Sequence, residues 1–126
     1  MNEIREISGI NATQTYWNAA ALGKLLLKRC VDTGKLFHYP REHSPFTGGR
    51  TEWVEASGRG VIYSCSVSYR AKPNYCIAYI KLDEGPIMLS NVVHEDLTQI
   101  AIGKRVRVVF RPGADGRPTP FFTLAD

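Results

Sequence analysis

Residues 29–49 read RCVDTGKLFHYPREHSPFTGG, and the two glycine-containing turns in this stretch decide the first part of the fold. The first turn, Asp32-Thr33-Gly34, separates the apolar run of residues 24–30 from a second short run at residues 35–40. Two such runs around a glycine turn predict a β-hairpin. The second turn, residues 44–49, combines Pro45 with two glycines, which is typical of a tight loop. The stretch therefore predicts a hairpin followed by a compact turn.

Upstream of the hairpin, residues 11–22 are predicted to form a short helix. Asn11, with Gln14 three residues later, is typical of a capped helix start. Three side chains recur at helical spacing and are expected to form the buried face: Trp17, Ala20 and Ala21. A helix of this length is marginal by itself, so we expect it to dock on the rest of the chain.

Downstream of residue 53 the hydrophobic period changes to two, which predicts β-strands. In the first, residues 61–69, the apolar face is expected to carry Val61, Tyr63, Cys65, Val67 and Tyr69. Four more strands are predicted at residues 75–82, 87–93, 105–111 and 119–124, with a helical turn at residues 94–100. Five strands with a helical element between the third and the fourth is the order of an OB-fold barrel. A five-stranded SH3-like barrel and half of a sandwich would show similar periodicity.

The two turns of the opening stretch resemble the metal knuckles of a rubredoxin-like zinc ribbon. Such a ribbon carries C-x-x-C-G and C-P-x-C-G, whose four thiolates converge on one zinc ion. Supporting residues of the pattern remain here, among them Gly34, Pro45 and Gly48. The four former ligand positions hold Cys30, Thr33, Ser44 and Thr47.

Ligand chemistry predicts that this ribbon holds no zinc, because hydroxyl groups are poor ligands for this ion and one thiolate is insufficient. The alternative is a rescued site made from Cys30, His38 and His43, which has only three ligands and an atypical spacing. We predict no other cofactor. Without metal, the ribbon is expected to be held by apolar contacts, which we assign to Leu26, Phe37 and Trp53.

Nearly the whole chain resembles a family of small proteins that pair a rubredoxin-like zinc ribbon with an OB-fold and are associated with acyl-CoA enzymes. The matching features, in order, are Tyr16-Trp17, Leu25-Leu26-Leu27, Arg29-Cys30, residues 37–41, Trp53-Val54-Glu55 and residues 57–64. The resemblance implies a mainly β chain with three parts: an N-terminal helix in residues 1–22, a degenerate zinc-ribbon module in residues 23–52 and a five-stranded OB-fold barrel in residues 53–126.

Composition places the chain among globular proteins and gives few hints about its partners. Of 126 residues, 44% are hydrophobic and 22% are charged, and no apolar run approaches the length of a membrane helix. The net charge of +4 is milder than that of a dedicated duplex-DNA binder. The start, MNEIREISG, does not suggest export, and three cysteines without a CxxC motif fit a reducing compartment. We therefore expect a cytoplasmic protein with no membrane partner.

No catalytic set emerges from the sequence. Cys65 and Cys76 have no histidine or other base nearby in sequence and are interpreted as structural thiols. His38, His43 and His94 lie outside any nucleophile or metal motif.

The family resemblance implies a non-catalytic accessory subunit that binds a thiolase-like or other acyl-CoA-processing enzyme and forms a hetero-oligomer with it. The partner would perform the acyl transfer, C–C bond chemistry or hydration, and any contact with coenzyme A would occur only in the complex. Aromatic and arginine side chains on an exposed helix and at the ribbon tip are the expected anchors: Tyr16, Trp17, Phe37, Tyr39 and Arg41.

The alternative function is an OB-fold that binds single-stranded nucleic acid. Arg105, Arg107 and Arg111 share the outward face of one strand, and four tyrosines lie in neighbouring strands: Tyr63, Tyr69, Tyr75 and Tyr79. Cations beside stacking rings suit a single strand. A solvated surface and a partner-docking face explain the same residues, and nucleic acid ranks below both.

Overall fold

The fold was examined in a computed structural model that describes residues 12–70 and 73–125. It contains one α-helix, eight strands and one 3₁₀ helix in those residues. In chain order these are α1 (Ala12–Ala21), β1 (Leu26–Cys30), β2 (Leu36–Phe37), β3 (Thr51–Glu55), β4 (Arg59–Ser68), β5 (Tyr75–Leu82), β6 (Ile87–Asn91), the 3₁₀ helix (Leu97–Gln99), β7 (Arg105–Pro112) and β8 (Pro118–Leu124). The mainly β class is confirmed.

The first sheet has three strands in the order β2-β1-β3, all antiparallel. The predicted hairpin is confirmed, with Lys28 opposite Phe37. On the other edge of β1, β3 pairs from Leu26↔Glu55 to Cys30↔Thr51. Residues 53–55, which the sequence analysis assigned to the barrel module, thus pair in the ribbon sheet, on the edge of β1 that β2 does not occupy.

The second sheet has five antiparallel strands in the order β6-β5-β4-β7-β8. It curls until β6 and β8 meet in a parallel bridge, Val92↔Phe122, where the Val93 N–H donates to the Phe122 carbonyl at 2.7 Å. The 3₁₀ helix lies between the third and fourth strands of this sheet, at the predicted place. The OB-fold prediction is confirmed, rather than the SH3-like or sandwich alternatives.

A β-bulge between Ile62 and Ser64 reverses the alternation in β4. Before the bulge, Ile62 is buried while Tyr63 is exposed; after it, Cys65 and Val67 pack against the core. The predicted inward positions of Val61 and Tyr63 are therefore wrong, because strict period two fails where an extra residue enters one strand.

Helix α1 packs against β8 through a stripe that is shifted by one residue from the predicted one. Tyr16, Ala19 and Ala20 are buried, whereas Ala21 is exposed and Trp17 is half-buried. The predicted cap at Asn11 lies outside the described residues. In the described part of the chain, no helix has the length and apolar character needed to cross a bilayer.

One continuous core joins helix, ribbon and barrel. Leu25, Leu26 and Leu27 from β1 and its approach belong to the same buried cluster as Ile80 and Phe122 of the barrel.

The connection between the two sheets is also tied to both of them. The Ala56 N–H donates to the Leu25 carbonyl at 2.8 Å, and the Val108 N–H donates to the Gly58 carbonyl at 2.7 Å. Gly58 has φ +79°, and a Cβ there would collide with Val108, so only glycine fits this approach. The connection is therefore fixed to the ribbon at one end and to the barrel at the other.

Candidate functional site

An aromatic cluster lies where α1, the ribbon and the barrel meet. It consists of Tyr16, Trp17, His38 and Tyr39, and Tyr16 is at its centre. The centroid of the Tyr16 ring lies 5.3 Å from that of Trp17, 5.7 Å from that of His38 and 5.5 Å from that of Tyr39. These tilted and edge-to-face arrangements are the favoured geometries for aromatic pairs. The cluster therefore connects the helix to the ribbon.

A hydrogen bond of 3.0 Å joins the Tyr16 hydroxyl to His38 Nε2 inside this cluster. Burial, helped by the charge of Tyr39, raises the pKa of Tyr16 well above its usual value of 10.0. Burial also lowers the pKa of His38 to about 4, from a usual value of 6.5. Both side chains are thus neutral at pH 7, and the tautomer of His38 decides which of the two groups donates the hydrogen bond.

The five residues expected to bind a partner differ in exposure. Tyr39 is 49% exposed and Arg41 is exposed, whereas Tyr16 at 2% and Phe37 at 9% are buried. The exposed position predicted for Tyr16 is wrong, because its ring fills the junction between helix and ribbon. Trp17 is half-buried, and the guanidinium of Arg117 lies 4.1 Å from its ring centroid.

A groove of about 220 Å³ opens beside the aromatic cluster. Its walls come from α1, the ribbon, β6 and β8: Tyr16, Trp17, His38, Tyr39, Met88, Leu89, Ser90, Asn91, Thr119, Pro120 and Phe121. The far wall is held in place because the Ser90 hydroxyl donates to the Pro120 carbonyl at 3.1 Å. Mostly apolar walls suit an apolar side chain better than a charged group.

The outer surface of β5 and β6 is apolar as well, although it faces solvent. Burial alternates strictly along β5, so Cys76, Ala78, Ile80 and Leu82 face the core. The outward side chains of the two strands include five large apolar ones, each at least 40% exposed: Tyr75, Ile77, Tyr79, Ile87 and Leu89. We call these five the β5–β6 face. The sequence analysis noted the tyrosines of this face but missed its aliphatic members. The sequence does indicate them, because β5 has apolar residues at outward as well as inward positions.

A second groove, of about 680 Å³, lies at one end of the barrel between β5, the 3₁₀ helix and β7. It is more polar, with Asn74, Asn91, His94 and Arg111 in its wall. Cys76 also lines it, and burial raises the pKa of this thiol, which makes it a poor nucleophile. His94 Nδ1 is engaged within the same turn by Asp96.

The two turns of the ribbon have the same backbone geometry. In the first, the Gly34 N–H donates to the Cys30 carbonyl; in the second, the Gly48 N–H donates to the Ser44 carbonyl, both at 2.8 Å. Gly34 and Gly48 each have φ +75°. Cys30 Sγ lies 3.7 Å from Thr47 Oγ1, so the two turns face each other as knuckles would.

Comparison with known proteins matches this architecture in both parts. Residues 17–44 match the family described as "ChsH2, rubredoxin-like zinc ribbon domain", and residues 53–111 match "ChsH2, C-terminal OB-fold domain". A "DUF35 domain-containing scaffold protein" of Methanothermobacter thermautotrophicus is 32% identical over 100 residues, 70% of this chain and 75% of that protein.

The chain belongs to the ChsH2 (DUF35) family.

Other relatives of this ChsH2-family chain are larger or more distant. A "Probable enoyl-CoA hydratase alpha subunit" of Thermomonospora curvata is 31% identical over 111 residues, which are 82% of this chain but 34% of that protein. The chain thus spans about a third of the length of that relative. A solved chain titled "Ltp2-ChsH2(DUF35) aldolase" superposes with TM-score 0.79 at 25% identity, covering 96% of this chain and 100% of that one. A DUF35-family protein of unknown function from Sulfolobus solfataricus shares the fold, with TM-score 0.66 at 13% identity over 89% of this chain and 84% of that one.

The zinc that the ribbon's family description implies does not fit the residues of this chain. Ser44 Oγ accepts the N–H groups of Phe46 and Thr47, at 3.0 and 3.2 Å. Thr47 Oγ1 donates to Asp32 at 2.8 Å and accepts the Gly49 N–H. These hydroxyls already have partners inside the ribbon and are poor zinc ligands.

Cys30 is the remaining thiol of the former set and is fully buried. Burial opposes its ionisation, but hydrogen bonds from Ser44, Thr33 and Thr47 outweigh this effect and lower its pKa to about 7.

The alternative metal site is not assembled. His38 points into the aromatic cluster, and His43 is exposed. Over residues 12–70 and 73–125, no three side chains of His, Cys, Asp or Glu come together in a way that would hold a metal ion. Cys30, His38 and His43 therefore do not form the rescued site.

Proposed function

We propose that this chain is a non-catalytic accessory subunit that binds an acyl-CoA-processing enzyme, and that the enzyme carries out the chemistry. The observation that carries this proposal is the superposition on the ChsH2 chain of an aldolase, which spans the full length of that chain. A relative named as a scaffold protein and another named as a hydratase subunit point in the same direction.

The chemistry of the described residues supports a role without catalysis. The buried Cys76 is poorly ionised, and Cys30 is closed off from solvent. His38, half-buried and neutral, has its Nε2 hydrogen-bonded to Tyr16. A nucleophile needs an adjacent base and access to substrate, and none of these three side chains has both.

The proposed assembly is a hetero-oligomer in the cytoplasm, and any contact of this chain with coenzyme A would arise only in that complex. Trp17, Tyr39 and Arg41 remain the ribbon-side residues proposed to contact the partner, since part or all of each side chain is accessible. The cysteines are free thiols in the described residues, which suits a reducing compartment.

Affinity purification of the full chain from its source cells is expected to recover an acyl-CoA enzyme in a fixed ratio to the tagged chain. Mass spectrometry identifies the enzyme, and sizing at two concentrations checks the ratio. The Trp17→Ala, Tyr39→Ala double variant should weaken recovery by about tenfold or more, as expected for large interface anchors. An Arg50→Glu variant, an exposed change elsewhere on the ribbon, is the control.

The proposal fails if the recovered proteins include no acyl-CoA enzyme, or if the purified chain alone turns over acyl-CoA substrates. Recovery that is equal for the double variant and the control would reject only the assignment of Trp17 and Tyr39.

We also propose that the ribbon is held without zinc. Metal analysis of untagged protein is expected to find less than about 0.1 zinc per chain, and a chelator should leave the unfolding midpoint unchanged, because removal of a structural zinc unfolds its module. A content near one zinc per chain would contradict this.

Because the knuckle geometry is preserved, a variant that restores the missing cysteines is expected to bind zinc. The triple variant Thr33→Cys, Ser44→Cys, Thr47→Cys should take up one zinc per chain, since four thiolates then converge on one point. The Thr33→Ala, Ser44→Ala, Thr47→Ala variant, with one thiol left, should take up none.

A further inference from the structure

The β5–β6 face is a contiguous apolar surface on a chain that already has a full core. Tyr79 stands directly opposite Leu89, and Lys81 directly opposite Ile87, so the outward side chains of the two strands touch across the pair. Tyr79 and Leu89 are 49% and 56% exposed. Contiguous apolar patches on a soluble domain mark interaction sites, whereas scattered apolar residues do not.

The face continues into the groove beside the aromatic cluster, because Leu89 belongs to both. At about 220 Å³, that groove is smaller than the usual small-molecule pocket of roughly 300–1,000 Å³. It is sized for a protruding side chain, and an apolar anchor in a pocket surrounded by flatter contacts is the usual form of a protein interface hot spot.

The charged side chains on the strands of the barrel all have one sign. The two carboxylates of the turn between β5 and β6 are engaged elsewhere, Asp83 with Arg105 and Glu84 with the Ser57 N–H. The five strands of the barrel contain no aspartate or glutamate, and they carry five exposed cations: Arg59, Lys81, Arg105, Arg107 and Arg111. Lys81 lies within the face itself, in register with Ile87 on one side and Val61 on the other. Arg105 is neutralised by Asp83 at 2.9 Å, but among the described residues no carboxylate forms a salt bridge with Lys81 or Arg107. A complementary surface would therefore present carboxylates.

We propose that the β5–β6 face and its adjoining groove bind the acyl-CoA enzyme through a ridge of apolar side chains bordered by aspartate or glutamate. This inference rests on the proposed function and adds the surface and the chemistry of the partner.

Two other occupants fit the same surface less well. A second copy of this chain would bring the cations of one face against a face with no carboxylate to receive them. A nucleic-acid strand would use the tyrosines and cations, but Ile77, Ile87 and Leu89 offer nothing for a base to stack on. The aliphatic side chains require an apolar surface in return.

The test uses the complex reconstituted from the full chain and the acyl-CoA enzyme that co-purifies with it. The Tyr79→Ser, Leu89→Ser variant is expected to raise the dissociation constant by about 100-fold or more, as loss of two central anchors does. The control is Leu22→Ser, Ile102→Ser, which removes two side chains that are as exposed, at 54% and 68%, but lie outside β5 and β6. It should change the constant by less than about threefold.

Charge is tested separately. Lys81→Glu should slow association by about tenfold at low salt and by less at high salt, whereas Arg50→Glu, outside the barrel strands, should not.

Each outcome decides one statement. Binding that survives Tyr79→Ser, Leu89→Ser overturns the surface and leaves the proposed function standing. If the wild-type chain binds no acyl-CoA enzyme, both fail. Salt-sensitive binding of a single-stranded oligonucleotide, or a dimer of this chain, that is lost in the same variant would overturn the inference in favour of that occupant. The unfolding midpoints of all four variants are measured as a folding control. Midpoints within a few degrees of wild type show that the variants are folded and that changes in binding come from the altered surface.

Discussion

Replacing Tyr16 with alanine is expected to lower the free energy of unfolding by about 3–5 kcal/mol, the usual range for removal of a buried aromatic ring. The side chain is 2% exposed and contacts three other rings, so its removal takes away the packing partner of all three. Urea unfolding at pH 7 measures the change, read as a lower midpoint at constant slope.

Two variants separate the contributions of the ring and the hydroxyl. Tyr16→Phe keeps the ring but leaves His38 Nε2 without its hydrogen-bond partner, and should cost about 1–3 kcal/mol. Tyr39→Ala removes a ring of the same cluster that is 49% exposed, and should cost less than about 1 kcal/mol. If Tyr16→Ala costs no more than Tyr39→Ala, the aromatic cluster does not hold the helix to the ribbon.

Acid should destabilise the fold through His38 before it affects the carboxylates. The unfolded chain binds a proton at this histidine near pH 6.5, whereas burial delays binding in the folded state until about pH 4. Between these values the unfolded state holds more protons, so the free energy of unfolding decreases as the pH falls from 6.5 towards 4. The full effect is about 3 kcal/mol, from 1.36 kcal/mol per unit of pKa.

Stability curves at half-unit steps between pH 7 and 4.5 measure this loss. His38→Gln retains an acceptor for Tyr16 but does not titrate, so its curve should be nearly flat in this window, whereas His43→Gln, at an exposed position, should follow the wild type. Hydrogen bonds from Arg105, Thr98 and the Arg117 backbone lower the pKa of Asp83, Asp96 and Asp115 respectively, so the stability they add is lost only as these carboxylates protonate at lower pH. Equal slopes for the two histidine variants would contradict the assignment.

The strands and the ribbon turns were predictable because their signals are local. Gly34 and Gly48 mark the ends of the two knuckles, where the backbone has positive φ. A short apolar run marks β5, and the alternation of arginine and valine at its start marks β7. The family resemblance then ordered these elements. The loss of three zinc ligands, at Thr33, Ser44 and Thr47, was also visible in the sequence. Whether a side chain is a good zinc ligand depends first on its residue type, which the sequence gives directly.

The errors came from non-local effects. The bulge after Ile62 depends on how β4 pairs with β5, and nothing in the sequence of β4 marks it. The choice between Tyr16 and Trp17 as the buried ring depends on His38, 22 residues away, which forms a hydrogen bond with the tyrosine hydroxyl. Neither the pairing of β4 with β5 nor the contact between Tyr16 and His38 can be read from the apolar pattern of a single element.

The connection between the sheets determines how a force would pass through this molecule. Ala56 is hydrogen-bonded to the ribbon and Gly58 to the barrel, and the two parts share one buried core. Rotation of the ribbon relative to the barrel would break these contacts, so we expect a partner that displaces the ribbon to displace the barrel with it.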